Sequence, residues 1–234
     1  MQFAAEDIDF VVSVLGTRGG AGCLTSLLAD EESRDQVLDD EALFHAVLER
    51  RGCLRISSRF YFYIIVRNVF RRASIEDRRV ADYVAEVLAE FASAERARCV
   101  VPGEAGPLDY FYEMIAALHR ADDRTGFWIR AHVGNYSLFL SGLFPDRIRA
   151  RCELRGCPDI QYYDAMGRAN YRAAGGHRLA QKYELSGVFN ILSERFSESR
   201  HALNDIADRL ISINDTEPDE SLLIKFNPSA SHAE

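Results

Sequence analysis

From Val80 the apolar positions Val80, Tyr83, Val84, Val87, Leu88 and Phe91 recur at spacings of three and four, the signature of one buried face of a helix. Ser74 is the expected N-cap of that helix, with Asp77 three residues on near the positive end of its dipole. Glu6–Leu15, Leu38–Leu48, Phe60–Phe70, Leu108–Arg120 and Asp159–Ala174 read the same way with less regularity. Taken alone, IVRNVF is short and β-branched enough to be a strand; its neighbours favour helix. The run FWIRAHVGNYSLFLSGLF, Phe127–Phe144, is apolar nearly all round. That pattern places a helix in the middle of a core.

From His177 to Ile213 the positions Phe189, Leu192, Phe196, Ser199, Leu203, Ile206, Leu210 and Ile213 alternate spacings of three and four, an a/d seam interrupted once by Ser199. Either the chain's own bundle or a second copy must cover such a seam. The interface candidates are therefore Phe189, Leu192, Phe196, Leu203, Ile206 and Leu210. The expected fold is all-α: an irregular bundle of roughly eight to ten helices, with a buried central helix near 127–144 and a long C-terminal helix.

Two breaks punctuate the pattern. Val101–Pro107 holds two prolines and two glycines, which divides an N-terminal part, 1–100, from a C-terminal part, 107–213, packed with it as one domain. Gly16–Gly22 has the glycines of a phosphate loop, but no GKS/T ending and no preceding strand, so it reads as a connector. The tail, 214–234, contains Pro and Ser and begins acidic; it is expected to be loosely ordered, with Leu222–Phe226 docking locally.

Charge changes this picture in one place. Asp30–Glu49 carries eight acidic residues against Arg34, and Arg50–Arg79 carries nine arginines against Glu76 and Asp77. Opposite blocks so close in sequence are expected to face each other or solvent. A nucleic-acid patch would need the arginines exposed and not neutralised, and the formal net charge of −8 argues against bulk nucleic-acid or anionic-membrane binding. Only Lys182 and Lys225 are lysines, a codon habit of GC-rich bacterial genomes. No signal peptide or transmembrane span is recognisable. Cys23, Cys53, Cys99, Cys152 and Cys157 are scattered and odd in number, which suits thiols in cytoplasm rather than a disulfide framework.

Candidate chemistry is sparse. No catalytic set of the GxSxG, HExxH, GxGxxG or kinase type occurs. Glu198–His201 is a lone Glu-x-x-His pair, and His45 with Glu41 and Glu49 lies in an acidic surface-like segment, so no metal centre is expected. SSRFYFY, Ser57–Tyr63, with Tyr110 and Tyr112, walls a groove or is half-buried helix surface.

In the Phe127 helix, Arg130, Gly134, Ser137 and Ser141 form a narrow stripe whose small residues admit a close neighbour. His132 and Asn135 lie on the face with Trp128 and Phe139; they are either core groups tied to local partners or the lining of a small polar pocket. One helix later, Tyr163, Gly167 and Asn170 share an apolar side, with Gln161, Asp164, Arg168 and Arg172 outward. Arg130, His132, Asn135, Tyr163 and Asn170 are thus the ligand-binding candidates; the pattern leaves the cofactor unknown.

HVGNYSLFLSGLFPD, with YYDAMGRANYR downstream and SRFYFYIIVR upstream, resembles an all-helical group of uncharacterised bacterial proteins of unknown function. The resemblance covers roughly Ser57–Leu210 and implies one recurring helical domain, with no catalytic residue carried over. The reading that follows is a cytoplasmic bacterial protein working through protein–protein contact, as a homodimer along the Phe189–Ile213 seam. The alternative is a small-ligand or enzymatic pocket around His132, and a third class is a DNA-binding regulator using the 50–79 arginines.

Overall fold

Short polar side chains set where the helices begin. Asp30, Ser57, Asp122 and Asp159 each accept a hydrogen bond from the backbone N–H three residues on, at 2.9, 3.1, 2.7 and 2.8 Å. Such a bond satisfies one of the donors a helix start leaves open. The computed structural model describes residues 4–16, 30–49, 56–92 and 111–214, without the side chains of 31, 32, 111, 112 and 208–214. Among these residues the chain is helical, with no strand. The helices are α1 (Ala5–Leu15), α2 (Glu31–Leu38), α3 (Glu41–Glu49), α4 (Ser58–Arg72), α5 (Arg78–Phe91) and α6 (Phe111–Leu118). They continue with α7 (Asp123–Leu143), α8 (Pro145–Arg155), α9 (Ile160–Gly175), α10 (Arg178–Lys182), α11 (Ser186–Glu194) and α12 (Phe196–Asn214).

Among the described residues there are twelve helices, against the roughly eight to ten expected. The excess comes largely from 177–213, read as one long segment, which is broken at Tyr183–Leu185 and again at Arg195 into α10, α11 and α12. IVRNVF is helical, inside α4. Ser74 does not cap α5: Asp77 does, accepting from Arg79 N at 2.8 Å. Ser74 instead ends α4 in the left-handed region, φ 58°. There Ser74 N–H bonds the Arg71 carbonyl and Ile75 N–H the Phe70 carbonyl, a Schellman turn.

The described residues form two compact units, those within 4–89 together with 208–214, and those within 90–207. In the first, α3 packs on α1 and α4. Asp7, fully buried, ties the start of α1 to that of α4 by accepting from Ser57 N at 2.7 Å and Ser57 Oγ at 2.9 Å. Leu43, Phe60, Ile65, Val66 and Phe70 fill its core. In the second, α9 lies along α7 and on α11. The approach is close because a Cβ on Gly134 would stand 2.7 Å from the Tyr171 ring, and one on Gly167 would stand 2.2 Å from Phe196. The small-residue stripe of α7 therefore does what its spacing predicts. The breaks at Gly16–Gly22 and Val101–Pro107, and the 214–234 tail with Leu222–Phe226, lie almost wholly outside the described residues.

Candidate functional site

Asn135 and Asn170, two of the polar residues predicted from α7 and α9, take separate hydrogen-bond partners. His132 is buried with its ring 5.3 Å from Phe91 and 6.4 Å from Tyr136. Asn135 Oδ1 accepts from the Tyr171 hydroxyl at 2.8 Å, so the phenol partner expected of Tyr163 is supplied by Tyr171. Asn170 turns back on its own helix, donating from Nδ2 to the Met166 carbonyl at 2.9 Å. Tyr163 is half-buried, 5.9 Å from the Tyr162 ring, and burial raises its phenol pKa. Arg130 is half-buried.

The a/d seam has an owner. Phe189, Leu192, Phe196, Leu203 and Ile206 are all buried within the chain. Phe189 stacks on Tyr171 at 5.6 Å, Phe196 lies 6.1 Å from the same ring, and Leu203 packs where a Cβ on Gly142 would stand. Of the two covers, the chain's own bundle is the one seen. A second copy would find no apolar stripe at these positions; the Leu210 side chain lies outside the described residues.

Nor do Asp164 and Arg168 face outward. Asp164 accepts from Arg200 Nε at 2.8 Å and from Ser197 Oγ at 2.8 Å, while Arg168 Nη2 donates to Ser197 Oγ at 2.8 Å. Asn204 joins them, accepting from Arg200 Nη1 at 3.1 Å and donating to the Ser141 and Gly142 carbonyls at 2.9 and 2.7 Å. This group clamps α7, α9 and α12 together.

Among the described residues, members of the opposed charge blocks of the first unit meet: Arg67 and Arg71 on Asp39, Arg72 on Glu41 and Arg78 on Asp35. Arg67 on α4 is 5% exposed and grips Asp39 with a fork, Nε to Oδ1 at 2.7 Å and Nη2 to Oδ2 at 3.0 Å. Its remaining Nη1 donates to the Glu76 carbonyl at 3.1 Å. Burial opposes the Arg67 charge, and the Asp39 hydrogen bonds and charge outweigh it, leaving the guanidinium pKa above its ordinary value. Around this pair opens a cleft of about 710 Å³ lined by Asp39, Glu41, Arg67, Asn68, Arg71, Arg72, Glu76 and Arg78.

Three guanidiniums of that lining stand half in solvent. Arg71, Arg72 and Arg78 have side chains 44%, 56% and 42% exposed. Arg71 Nη1 donates to the Asp39 carbonyl at 3.1 Å and lies 3.6 Å from Asp39 Oδ2. Arg72 Nη2 reaches Glu41 at 3.5 Å, its guanidinium 5.0 Å above the Phe44 ring, and Arg78 Nη1 pairs with Asp35. A guanidinium carries five N–H donors, so each of the three keeps most of its donors unused. Asn68, 7% exposed, lines the same cleft, and its Oδ1 accepts no hydrogen bond.

Burial pushes the Tyr61 phenol up to about 12 and the Tyr63 phenol higher still, so neither titrates near neutral pH. Among the described residues no His, Cys, Asp and Glu cluster suits a metal ion, and no helix is long and apolar enough to cross a membrane. Within SSRFYFY, Phe60 and Tyr63 are buried and Tyr61 and Phe62 half-buried, while Tyr110 and the Tyr112 side chain, read with them, lie outside the described residues. The geometry defines an all-helical protein with a polar, arginine-lined cleft. No protein-family model, curated protein or solved structure is similar to the chain by comparison.

Proposed function

We propose that this chain is a non-enzymatic helical binding protein whose first unit takes a small oxyanion-bearing molecule in the cleft between α3 and α4. The observation that carries the reading is the set of unused donors on Arg71, Arg72 and Arg78 around one opening. Guanidinium donors recognise carboxylate and phosphate oxygens by charge-assisted, often bidentate bonds. A cleft of about 710 Å³ is of the size small ligands occupy. The buried Arg67–Asp39 fork supports it, holding α4 against the segment before α3 so that the half-exposed arginines need little ordering on binding.

The acids set the strength. Four arginines in the lining are opposed by Asp39, Glu41 and Glu76, so long-range attraction is weak and the affinity rests on hydrogen-bond geometry. Asp39 is engaged by Arg67 and Arg71. Glu41 is not comparably held: its side chain is 72% exposed and it meets Arg72 at only 3.5 Å, the kind of pair an incoming anion displaces easily. The same acids weigh against duplex DNA, because the arginine block is neutralised from within. Scattered cysteines, of which Cys152 and Cys157 are free thiols, suit a cytoplasmic setting for this reading.

Titration of the full chain with inorganic phosphate at low ionic strength, followed by calorimetry, tests the proposal. The expected result is saturable binding with a dissociation constant of about 1 mM, equivalent to roughly −4 kcal/mol. Glu41→Gln is expected to tighten it several-fold and Arg71→Ala with Arg72→Ala to abolish it. A flat titration with the unaltered chain overturns the reading.

A further inference from the structure

We infer that the oxyanion-bearing molecule of this cleft carries a flat aromatic ring beside its phosphate or carboxylate, and that the ring stacks on the outer face of the Arg72 guanidinium. The inference rests on the oxyanion reading of the same cleft and narrows it. One side of that guanidinium is already covered by a ring: its central carbon lies 5.0 Å over Phe44. Phe44 is buried and stands outside the cleft lining, whereas Arg72 is half-exposed and belongs to it. The guanidinium thus lies between an aromatic floor and the opening. A guanidinium is planar and stacks on aromatic rings, so the face turned to the opening offers a second ring the contact that Phe44 makes below.

The edge and the face of Arg72 serve different parts of the molecule. Glu41 meets Arg72 through Nη2 at 3.5 Å, an edge contact, because guanidinium N–H donors lie in the plane of the group. An incoming head group takes edge donors there and on Arg71, which lines the same opening. The body of the molecule must then lie on something. Among the described residues the lining holds seven charged side chains and Asn68, with no apolar one, so an aliphatic body finds no wall to pack on. A ring does, because its electron-rich face attracts a cation held over it. The volume of about 710 Å³ leaves room for a ring beyond the head group. Phe44 holds the Arg72 plane in place before binding, which lowers the ordering cost of the stack. Phosphate and carboxylate heads share this chemistry, so the two are separated by experiment.

Calorimetric titration of the full chain, at a pH where every probe is fully ionised, uses two matched pairs: phenyl phosphate against cyclohexyl phosphate, and benzoate against cyclohexanecarboxylate. Each pair keeps the head group and the ring size and changes the flatness and π character of the ring. The aromatic member of at least one pair is expected to bind about fivefold more tightly, as for a partly exposed cation–π contact. The pair that shows the ratio identifies the head group. Nuclear magnetic resonance of the same chain places the ring: the aromatic probe, and not its saturated partner, is expected to move the assigned Arg72 Nε–H signal upfield. Equal binding within both pairs overturns the inference and leaves the oxyanion reading standing, as does a ratio without the Arg72 shift. If none of the four probes binds, the oxyanion reading fails and this inference with it. Every comparison is made in the unaltered chain, so no variant has to fold.

Discussion

Two buried arginine–aspartate pairs, one in each unit, are built from the same fork and end differently. Arg67 and Asp39 sit at the back of an open cleft, beside three half-exposed guanidiniums and an unsatisfied amide. Arg200 and Asp164 sit among partners that close on one another: Ser197, Arg168 and Asn204, with Asn204 bonded onward to the backbone of α7. Both arginines are more than nine-tenths buried, at 5% and 8% exposure. A buried ion pair therefore says little about function by itself. What separates the two is what stands beside the pair: half-exposed guanidiniums around an opening in the first, and side chains bonded between α7, α9 and α12 in the second.

The largest effect is expected from breaking the clamp. Asp164→Ala would strand the Arg200 guanidinium in a site it cannot leave, and would also remove the acceptor of Ser197. Losing one partner of a buried pair costs about 3–5 kcal/mol. Urea unfolding should show that loss for Asp164→Ala. Arg72→Ala in the cleft should shift stability by less than about 1 kcal/mol, as for an exposed ion pair. Comparable losses from the two substitutions would mean that the cleft arginines are structural and the contrast is false.

A smaller effect tests the support of the cleft. Arg71 and Arg72 stand in the last turn of α4, which ends on Ser74 in the left-handed region that disfavours side chains. Ser74→Gly relieves that strain at some entropic loss in the unfolded chain, for a net gain of roughly 0.5–1 kcal/mol. α8 already ends on Gly156, at φ 62°, the solution α4 lacks. Equilibrium unfolding checks the gain; a loss of stability would show that the Ser74 side chain makes a contribution larger than its strain.

The contrast between the units was only partly legible in the chain. The all-helical class was readable because apolar periodicity survives in every long segment, and the burial of the Phe127 run follows from its composition. The breaks at Tyr183–Leu185 and Arg195 were not, because Phe189, Leu192 and Phe196 keep their three-and-four spacing across a helix end. The a/d seam was real as burial and silent about its owner. Asn135 found its phenol in Tyr171 rather than Tyr163, since the close approach at Gly134 brings the Tyr171 ring against α7. The cleft was half visible, as opposed charge blocks. The signal that singled out His132 and Asn135, polar residues inside an apolar helix, also marks Arg67 and Asn68 in IIVRNVF, which line the cleft.

The smallest effect is one of sign, and it again divides the units. In the second, hydrogen bonds hold two acids below the usual carboxylate range: Asp122 through the Thr125 backbone, and Asp123 through His177 and then Arg178. A lowered folded-state pKa gives stability that is present above the unfolded value of about 3.9 and is lost as pH falls through the folded one. In the first unit Asp82 is shifted the other way, by burial, so its contribution is present below about pH 3.9 and lost as pH rises through its raised pKa. Asp123→Asn should therefore reduce the acid-side fall in stability reported by Trp128, the single tryptophan, which lies in the second unit. Asp82→Asn should stabilise the chain at pH 7, with the gain vanishing below about pH 4, as followed by far-ultraviolet circular dichroism. A gain from Asp82→Asn that persists unchanged at pH 3 would trace the effect to packing rather than to charge, and would remove the electrostatic half of the contrast between the open unit and the closed one.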